Sequence, residues 1–149
     1  MSGIDANDKA IIAELQRDGR APYATIAEIV GLSETAVRNR VKRLTESGVV
    51  QIVAVTDPTQ LGFDRQAMIG IRVSGALEPV AEALAAMEEV DYVVITAGSY
   101  DVLAEVVCES DAHLLELVSG RIRAIEGVQG TDTLMYLKLQ QQTYAWGTR

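Results

Sequence analysis

Three glycines, Gly19, Gly31 and Gly48, divide the first fifty residues into three segments, each with apolar residues at helical spacing. Glycine adopts the left-handed backbone conformation that ends many helices, so each glycine is expected to stop one helix. The sequence therefore predicts three short helices in residues 1–50, with the apolar stripe of each facing inward.

The first helix is predicted over residues 6–18. Asp5 is a suitable N-cap, and Asp8 occupies the capping-box position three residues later. Pro22 is tolerated in the first turn of a second helix, which is expected to stop at Gly31.

Ser33 is predicted to cap the third helix, which is expected to stop at Gly48. Val37, Val41 and Leu44 follow the i, i+4, i+7 spacing and are expected to face inward. The outward face then holds Glu34, Thr35, Arg38, Asn39, Lys42 and Arg43.

A short helix, a tight turn with glycine and a longer basic helix form a helix-turn-helix pattern, whose second helix enters the major groove of DNA. Arg38 can bond guanine in a bidentate manner, Asn39 can pair with adenine, and Thr35 can contact a base edge or a phosphate. Lys42 and Arg43 suit phosphates better. Double-stranded DNA is the predicted partner, because this helix lacks the aromatic side chains that stack on single strands. The alternative is a solvated helix face on a three-helix bundle without a DNA role.

The distribution of charge supports this prediction. The chain has a net charge of −8, yet residues 1–50 carry seven of the 13 basic and seven of the 21 acidic side chains and are neutral. Four basic residues lie between Arg38 and Arg43, so this acidic protein has one compact basic patch where a polyanion is expected to bind.

The remaining residues predict an α+β module. A β-branched run over 49–56 predicts a strand that leads out of the first domain, and residues 57–65, with Pro58 and Gly62, are the best linker. Beyond the linker, the pattern predicts a strand over 67–73, a helix after Pro79, strands over 90–97 and 102–108, a helix from Ser110 or Asp111 to Gly127, and a last strand over 133–139. This order is the ferredoxin-like βαββαβ sandwich, an antiparallel sheet with both helices on one face.

The other face of the sheet is predicted to be too apolar to stay in water. Alternation places on it Met68, Leu103, Val107, Leu134 and Tyr136. A dimer formed sheet against sheet is the simplest way to cover this surface, and it matches the two-fold symmetry of palindromic operators.

Several classes of protein are disfavoured. The single cysteine, Cys108, cannot form an internal disulfide and alternates inward as a core residue. No signal peptide or membrane-spanning stretch is evident, so a cytoplasmic protein without a membrane partner is expected. One histidine and one cysteine give no metal-ligand set, and a phosphate-binding glycine loop is absent, so no metal or cofactor is expected.

An ordered series of short motifs along nearly the whole chain resembles the Lrp/AsnC, or feast/famine, family of transcriptional regulators. The matching stretches are Ile4-Asp5 with Asp8 and Ile11, Gly19-Arg20, Ile26-Ala27, Gly31-Leu32-Ser33, Val37, Arg40-Val41, Leu44, Gly48-Val49-Val50, Asp57-Pro58, Leu61-Gly62-Phe63, Gly98-Ser99-Tyr100-Asp101, Gly127-Val128 and Thr131-Asp132-Thr133. Each motif alone is weak, but their order along the chain is specific.

The resemblance implies four parts: a helix-turn-helix, winged-helix-like domain over 1–50, a hinge strand and linker over 51–65, a ferredoxin-like effector-binding and oligomerisation domain over 66–140, and a tail over 141–149. It implies homodimers, which often assemble into octamers, and an amino-acid effector held between neighbouring dimers. The DNA-binding residues would be Ser33, Glu34, Thr35, Arg38, Asn39, Lys42 and Arg43.

In the family pattern the glycine-aromatic-aspartate turn lines the effector cleft, which here points to Gly98, Ser99, Tyr100 and Asp101. Glycine leaves backbone amides open to a carboxylate, aspartate can receive an ammonium group, and tyrosine can cover apolar surface. Thr131 and Thr133 match the later threonine pair of the family. The alternative for the turn is an ordinary hairpin loop in which Asp101 bonds its own backbone.

Other classes of function stay open at this point. Siroheme decarboxylases are similar in sequence and architecture to the family, and are expected to need histidine in the second domain, where this chain has only His113. Ser99, Asp101 and His113 supply the residue types of a hydrolase triad, without a nucleophile-elbow pattern. A sensor without DNA binding and a regulator without an effector are further alternatives. A DNA-binding regulator rather than an enzyme is the interpretation that the basic third helix favours.

Overall fold

The computed structural model describes residues 3–148, which divide into two compact units. One unit is Thr56–Gln140, and the other contains the described residues before and after it. None of the helices in the described range is long and apolar enough to cross a membrane.

The first unit contains the three predicted helices. They are α1 (Ala6–Arg17), α2 (Tyr23–Val30) and α3 (Glu34–Glu46). All three contribute to a common core, whose fully buried members include Ile11, Ile26 and Val37. Burial of one apolar stripe per helix is what makes such short helices stable.

Two of the three glycine stops are confirmed. Gly31 caps α2 with φ +70°, and Gly48, just after α3, has φ +74°. The expected left-handed cap at Gly19 is wrong, because α1 ends one residue earlier at an extended Asp18. The Asp18 amide donates to the carbonyl of Glu14, and its carboxylate accepts from the Arg20 amide at 2.8 Å, so the turn closes without a left-handed residue.

The hinge strand predicted over 49–56, which overlaps the proposed 51–65 segment, is not formed in the single chain. Residues 51–57 are neither helix nor strand, and a short 3-10 turn, Pro58–Leu61, follows. A strand needs a neighbouring backbone to pair with, and every strand pair in the described residues lies in the sheet of the second unit. The β-branched run therefore indicates a high strand propensity, but no strand forms because the single chain offers this segment no pairing partner.

The second unit follows the predicted βαββαβ order. Its elements are β1 (Arg65–Val73), α4 (Glu78–Ala85), β2 (Val90–Ile95), β3 (Val102–Cys108), α5 (Asp111–Leu115) with a π-helical continuation (Glu116–Ile122), and β4 (Val128–Met135). The four strands form one antiparallel sheet in the order β2-β3-β1-β4. The split βαβ arrangement predicted from the sequence is therefore confirmed.

One face of the sheet is covered by both helices. Ile69 on β1 and Ala104 on β3 are fully buried in the same core as Leu84 of α4 and Leu117 of the π-helical continuation. Cys108 is also fully buried there, which confirms its interpretation as a core residue.

The strand register confirms which residues face the other way. Met68 pairs with Glu105 and Leu134, and Gly70 pairs with Leu103 and Asp132, each one residue out of phase with the buried positions. The predicted apolar residues thus share the helix-free face of the sheet. Leu134 is 49% exposed on this face in the single chain.

Two boundaries near the C-terminus differ from the predictions. The second helix ends at Ile122 rather than at Gly127, and the last strand is Val128–Met135 rather than 133–139. Pairing with β1 overrides the weak strand propensity of the Gly130-Thr131-Asp132 stretch, whereas Leu137, past the sheet, is 96% exposed.

Candidate functional site

The turn between α2 and α3 has the geometry of a helix-turn-helix. Gly31 adopts the left-handed conformation, and the Leu32 amide donates to the carbonyl of Ala27. The Ser33 hydroxyl then accepts from the Ala36 amide at 3.2 Å and starts α3. The tight turn therefore fixes where the outward face of α3 begins.

Most of the predicted DNA-binding residues lie together on one exposed face. Those that are exposed are Ser33, Glu34, Thr35, Arg38, Asn39 and Lys42. Arg43 is the exception, because it is half-buried against α1.

Asp8 is a fully buried carboxylate that joins α1 to α3. Arg43 Nη2 donates to both of its oxygens at 2.7 Å, and Arg40 Nη1 donates to Oδ1 at 2.8 Å and to Asp5 at 2.7 Å. Asp8 also forms the capping box of α1 with Asp5. Burial raises the pKa of the Asp8 carboxyl, but hydrogen bonds from Arg43 and Arg40 outweigh burial and lower this pKa to about 2.

This cluster divides the basic patch into two parts. Arg40 and Arg43 are held by acidic groups of α1, so their charge stabilises the helical unit. From the sequence, Asp8 is predicted only as a capping residue. The signal that could have revealed its second role is a carboxylate on the buried side of α1, which must have a cationic partner.

Arg38 and Lys42 are the basic side chains left on the exposed face. Arg38 Nη2 donates to Glu34 Oε1 at 2.6 Å, and its guanidinium lies 5.3 Å from the ring centre of Tyr23. Lys42 Nζ lies 3.8 Å from a carboxylate oxygen of Glu46. Both ion pairs are exposed i, i+4 pairs, which stabilise a helix only weakly.

Asp101 connects the turn that carries the predicted effector motif to β1 through two hydrogen bonds. Its amide donates to the carbonyl of Ile71 at 2.9 Å, and its Oδ2 accepts from the Val73 amide at 2.8 Å. The Thr96 amide donates to the Asp101 carbonyl at 2.9 Å and closes the turn. The Asp101 carboxylate thus bonds a neighbouring strand rather than its own backbone.

Tyr100 lies against the helix-free face of the sheet, over Gly70. A Cβ atom at position 70 would meet the Tyr100 ring at 2.7 Å, so the ring needs glycine beneath it. The guanidinium of Arg72 lies 5.8 Å from the ring centre and bonds Asp132 at 2.7 Å. This ion pair lowers the pKa of the Asp132 carboxyl. Gly98 and Ser99, at the tip of the turn, are exposed.

The two predicted threonines do not share the surface of Tyr100. Thr131 pairs with Ile71 and Thr133 pairs with Ile69, and both isoleucines point toward the helices. Thr131 is only 9% exposed, and its hydroxyl accepts a hydrogen bond from Arg123 Nε at 2.8 Å. Within one chain, the threonines and the Tyr100 ring therefore lie on opposite faces of the sheet.

His113 takes part in a structural cluster. Its amide donates to the Ser110 hydroxyl at the start of α5, and its ring Nε2 lies 3.2 Å from Glu89 Oε1, which also accepts from Arg121. Burial raises the pKa of the Glu89 carboxyl, but the bonds from Arg121, its own backbone and His113 outweigh burial, so this pKa is lowered. His113 and Asp101 have different partners, so the structure does not assemble the Ser-His-Asp set considered above.

Comparisons with known proteins cover both units. Residues 4–45 match the AsnC-type helix-turn-helix domain, and residues 64–149 match a C-terminal dimeric alpha+beta barrel domain. The transcriptional regulator FL11 of Pyrococcus furiosus is 38% identical over 96% of both chains.

Solved structures of regulators share the fold. The feast or famine regulatory protein of M. tuberculosis, complexed with L-methionine, is 29% identical with a TM-score of 0.84, and covers 94% of this chain and 96% of its own. A Neisseria meningitidis transcriptional regulator complexed with L-Met is 25% identical with a TM-score of 0.82, over 95% of each chain. Together with the helix-turn-helix geometry of α2 and α3, these matches show that the chain belongs to the Lrp/AsnC family of transcriptional regulators.

Proposed function

We propose that this regulator binds double-stranded DNA as a homodimer through the exposed face of α3, and that an amino acid bound at the second unit changes its affinity for the operator. The observation that carries the proposal is the pair Arg38 and Asn39. Both are exposed on α3, in its second turn, after the left-handed Gly31 of the helix-turn-helix.

Five exposed residues of α3 and its N-cap have distinct roles in this proposal. Arg38 bonds guanine and Asn39 bonds adenine, whereas Thr35 and Ser33, at the helix start, contact a base edge or phosphates. Lys42 binds phosphate. Arg43 contributes only in part to the attraction of DNA phosphates, because its Nη2 group already donates to both oxygens of Asp8.

Dimerisation through the helix-free face of the sheet would present two copies of α3 to two half-sites. The apolar residues on this face support it, as does the family description of the module as a dimeric barrel. We further propose that dimers assemble into octamers, as the family resemblance implies, and that the protein acts in the cytoplasm.

For the effector site, we propose the turn 98–101 of one chain together with Thr131 and Thr133 of a chain in a neighbouring dimer, because within one chain the two sets lie on opposite faces of the sheet. The backbone amides of the exposed residues Gly98 and Ser99 would receive the carboxylate of the ligand, and Tyr100 would cover its apolar part. Asp101 uses Oδ2 for the Val73 amide, so its other oxygen would receive the ammonium group. The solved complexes of two relatives with L-methionine support an amino acid as the ligand class.

Regulation is favoured over catalysis, because the relatives are named as transcriptional regulators and the His113 ring is paired with the Glu89 carboxylate.

Direct assays separate the parts of the proposal. In gel-shift titrations, Arg38→Ala should weaken operator binding by about 1–3 kcal/mol and relax specificity at one base pair. Lys42→Ala should weaken binding to all sequences and reduce the salt slope by about 1. Unchanged binding in both variants would reject this face.

A thermal-shift scan against the standard amino acids tests the effector site, because a ligand that binds only the native state raises the melting temperature. Asp101→Asn keeps an oxygen for the Val73 amide but removes the charge, so it should abolish the shift without unfolding the turn. Asp91→Ala, an exposed carboxylate on β2, is the control and should retain the shift. A ligand response unchanged in Asp101→Asn would place the site elsewhere, and a scan without any response would favour regulation through assembly alone.

A further inference from the structure

Glu34 is an acidic residue in the middle of a surface that must approach a polyanion. It lies in the first turn of α3, is 49% exposed, and accepts from Arg38 at 2.6 Å. A carboxylate at this place repels phosphates and reduces affinity for any DNA. The exposed pair stabilises the helix only weakly. A contribution to stability is therefore a poor explanation for Glu34.

The geometry around Arg38 gives a better explanation. The carboxylate of Glu34 accepts from the guanidinium at Nη2, and the central carbon of the guanidinium lies 5.3 Å from the ring centre of Tyr23, in the first turn of α2. Glu34 is the only hydrogen-bond acceptor that Arg38 has among the described residues. The Arg38 side chain is 61% exposed, so its remaining N–H groups face solvent. A guanidinium that is bonded at Nη2 and lies close to an aromatic ring has fewer orientations than a free one, and its other N–H groups are available to a base.

We propose that Glu34 is a specificity-determining residue that positions Arg38 for guanine and prevents Arg38 from acting as a general phosphate ligand. On an unmatched sequence, Arg38 stays paired with Glu34, and the carboxylate repels the nearby backbone. On a matched sequence, the free edge of Arg38 forms a bidentate contact with guanine while Glu34 holds Nη2. This inference rests on the proposed DNA-binding role of α3.

The chain contains a matched control for the effect of charge. Glu46 lies on the same helix, is 66% exposed, and forms an i, i+4 pair with Lys42 at 3.8 Å. Glu46→Gln and Glu34→Gln remove the same charge and a similar exposed pair. Only Glu34→Gln replaces the charged acceptor of a guanidinium that is predicted to read a base with a neutral one, and so weakens the hold on Arg38.

The experiment is selection from a pool of randomised 30-base-pair duplexes by the full-length wild type and by both variants. In parallel, binding to a fixed unselected duplex is measured at several salt concentrations. In Glu34→Gln, we expect the preference for guanine at the position read by Arg38 to fall about fivefold or more. We also expect tighter binding to the unselected duplex, with a salt slope steeper by about 0.9. Glu46→Gln should keep the wild-type consensus, and Arg38→Ala should lose the preference at the same position.

Three outcomes would overturn the inference. A Glu34→Gln consensus identical to that of the wild type would show that Glu34 does not set specificity. An equal loss of the guanine preference in Glu46→Gln would show that the change in net charge, and not the pairing of Glu34 with Arg38, determines specificity. A wild-type protein that selects no consensus would contradict the proposed DNA-reading role of α3 itself, and the inference with it. Thermal melts of both variants verify that α3 remains folded.

Discussion

Asp8→Asn is the substitution with the most direct consequence for the helical unit. Asp8 is fully buried, and it receives hydrogen bonds from Arg40, Arg43 and the Asp5 amide. Asparagine has nearly the same shape and keeps an oxygen for the capping box. It cannot supply the negative charge that two guanidinium groups contact. The variant therefore isolates the contribution of the buried charge to the free energy of unfolding.

The magnitude follows from the pKa of the Asp8 carboxyl. A decrease from 3.8 to about 2 corresponds to at most about 2.5 kcal/mol, because one pKa unit is equivalent to about 1.36 kcal/mol. The side chains of Arg40 and Arg43 remain 27% and 42% exposed, so solvent screens part of this attraction. After this discount we expect Asp8→Asn to destabilise the protein by about 1–2 kcal/mol at neutral pH.

The dependence on pH has a definite sign. The pKa of Asp8 is lower in the folded state than in the unfolded state, so its contribution is fully present above the unfolded value of 3.8. This contribution is lost as the pH falls from 3.8 toward about 2, where the folded carboxyl takes up a proton. The difference in stability between wild type and Asp8→Asn should therefore shrink as the pH falls below about 4.

Urea unfolding followed by circular dichroism, at one fixed protein concentration and at several pH values, measures this difference. Asp18→Asn is the control, because Asp18 is exposed and, among the described residues, its carboxylate accepts only from the Arg20 amide at 2.8 Å. It should change stability by less than about 0.5 kcal/mol. A stability difference for Asp8→Asn that is near zero, or that stays constant between pH 5 and pH 2.5, would refute the assignment of the buried charge.

Three further predictions concern the second unit. Gly70→Ala places a Cβ atom 2.7 Å from the Tyr100 ring, so displacement of the ring should lower stability by about 1–3 kcal/mol in thermal melts and weaken any amino-acid response. Leu134→Asp, on the helix-free face, should shift the dimer toward monomer in analytical ultracentrifugation, whereas Leu137→Asp, past the sheet, should not; equal effects would reject this interface. The Cys108 thiol is fully buried and burial raises its pKa, so a thiol reagent should modify it only upon unfolding, and rapid labelling of the native protein would contradict this placement.

Local signals were sufficient for most helices and strands. Ser33 and Gly31 delimit α3 because a hydroxyl cap and a left-handed glycine act within a few residues of their own position. The alternation of Ala67, Ile69 and Ile71 likewise indicated the buried face of β1, because side chains on a strand alternate between its two faces. These patterns require no knowledge of the remainder of the chain.

Elements that depend on a distant partner were predicted less well. Residues 49–56 have high strand propensity but no pairing partner in the single chain, and β4 forms over Gly130 because β1 supplies the pairing. Propensity alone therefore predicted one strand that the chain does not form and misplaced another. The partner, rather than the local sequence, decided both cases.

The same dependence on partners explains the functional residues. Within α3, the sequence pattern predicts the same role for Arg38 and Arg43, since both are basic and both lie on or near the outward face. In the structure Asp8, 35 positions before Arg43, binds one of them, whereas Glu34, four positions before Arg38, binds the other. A guanidinium paired with a buried carboxylate stabilises the fold. A guanidinium paired with an exposed carboxylate can still bind DNA. A basic residue of this helix can therefore be assigned to DNA only after the burial of its acidic partner is known, and by that criterion Arg38 is the residue to test first.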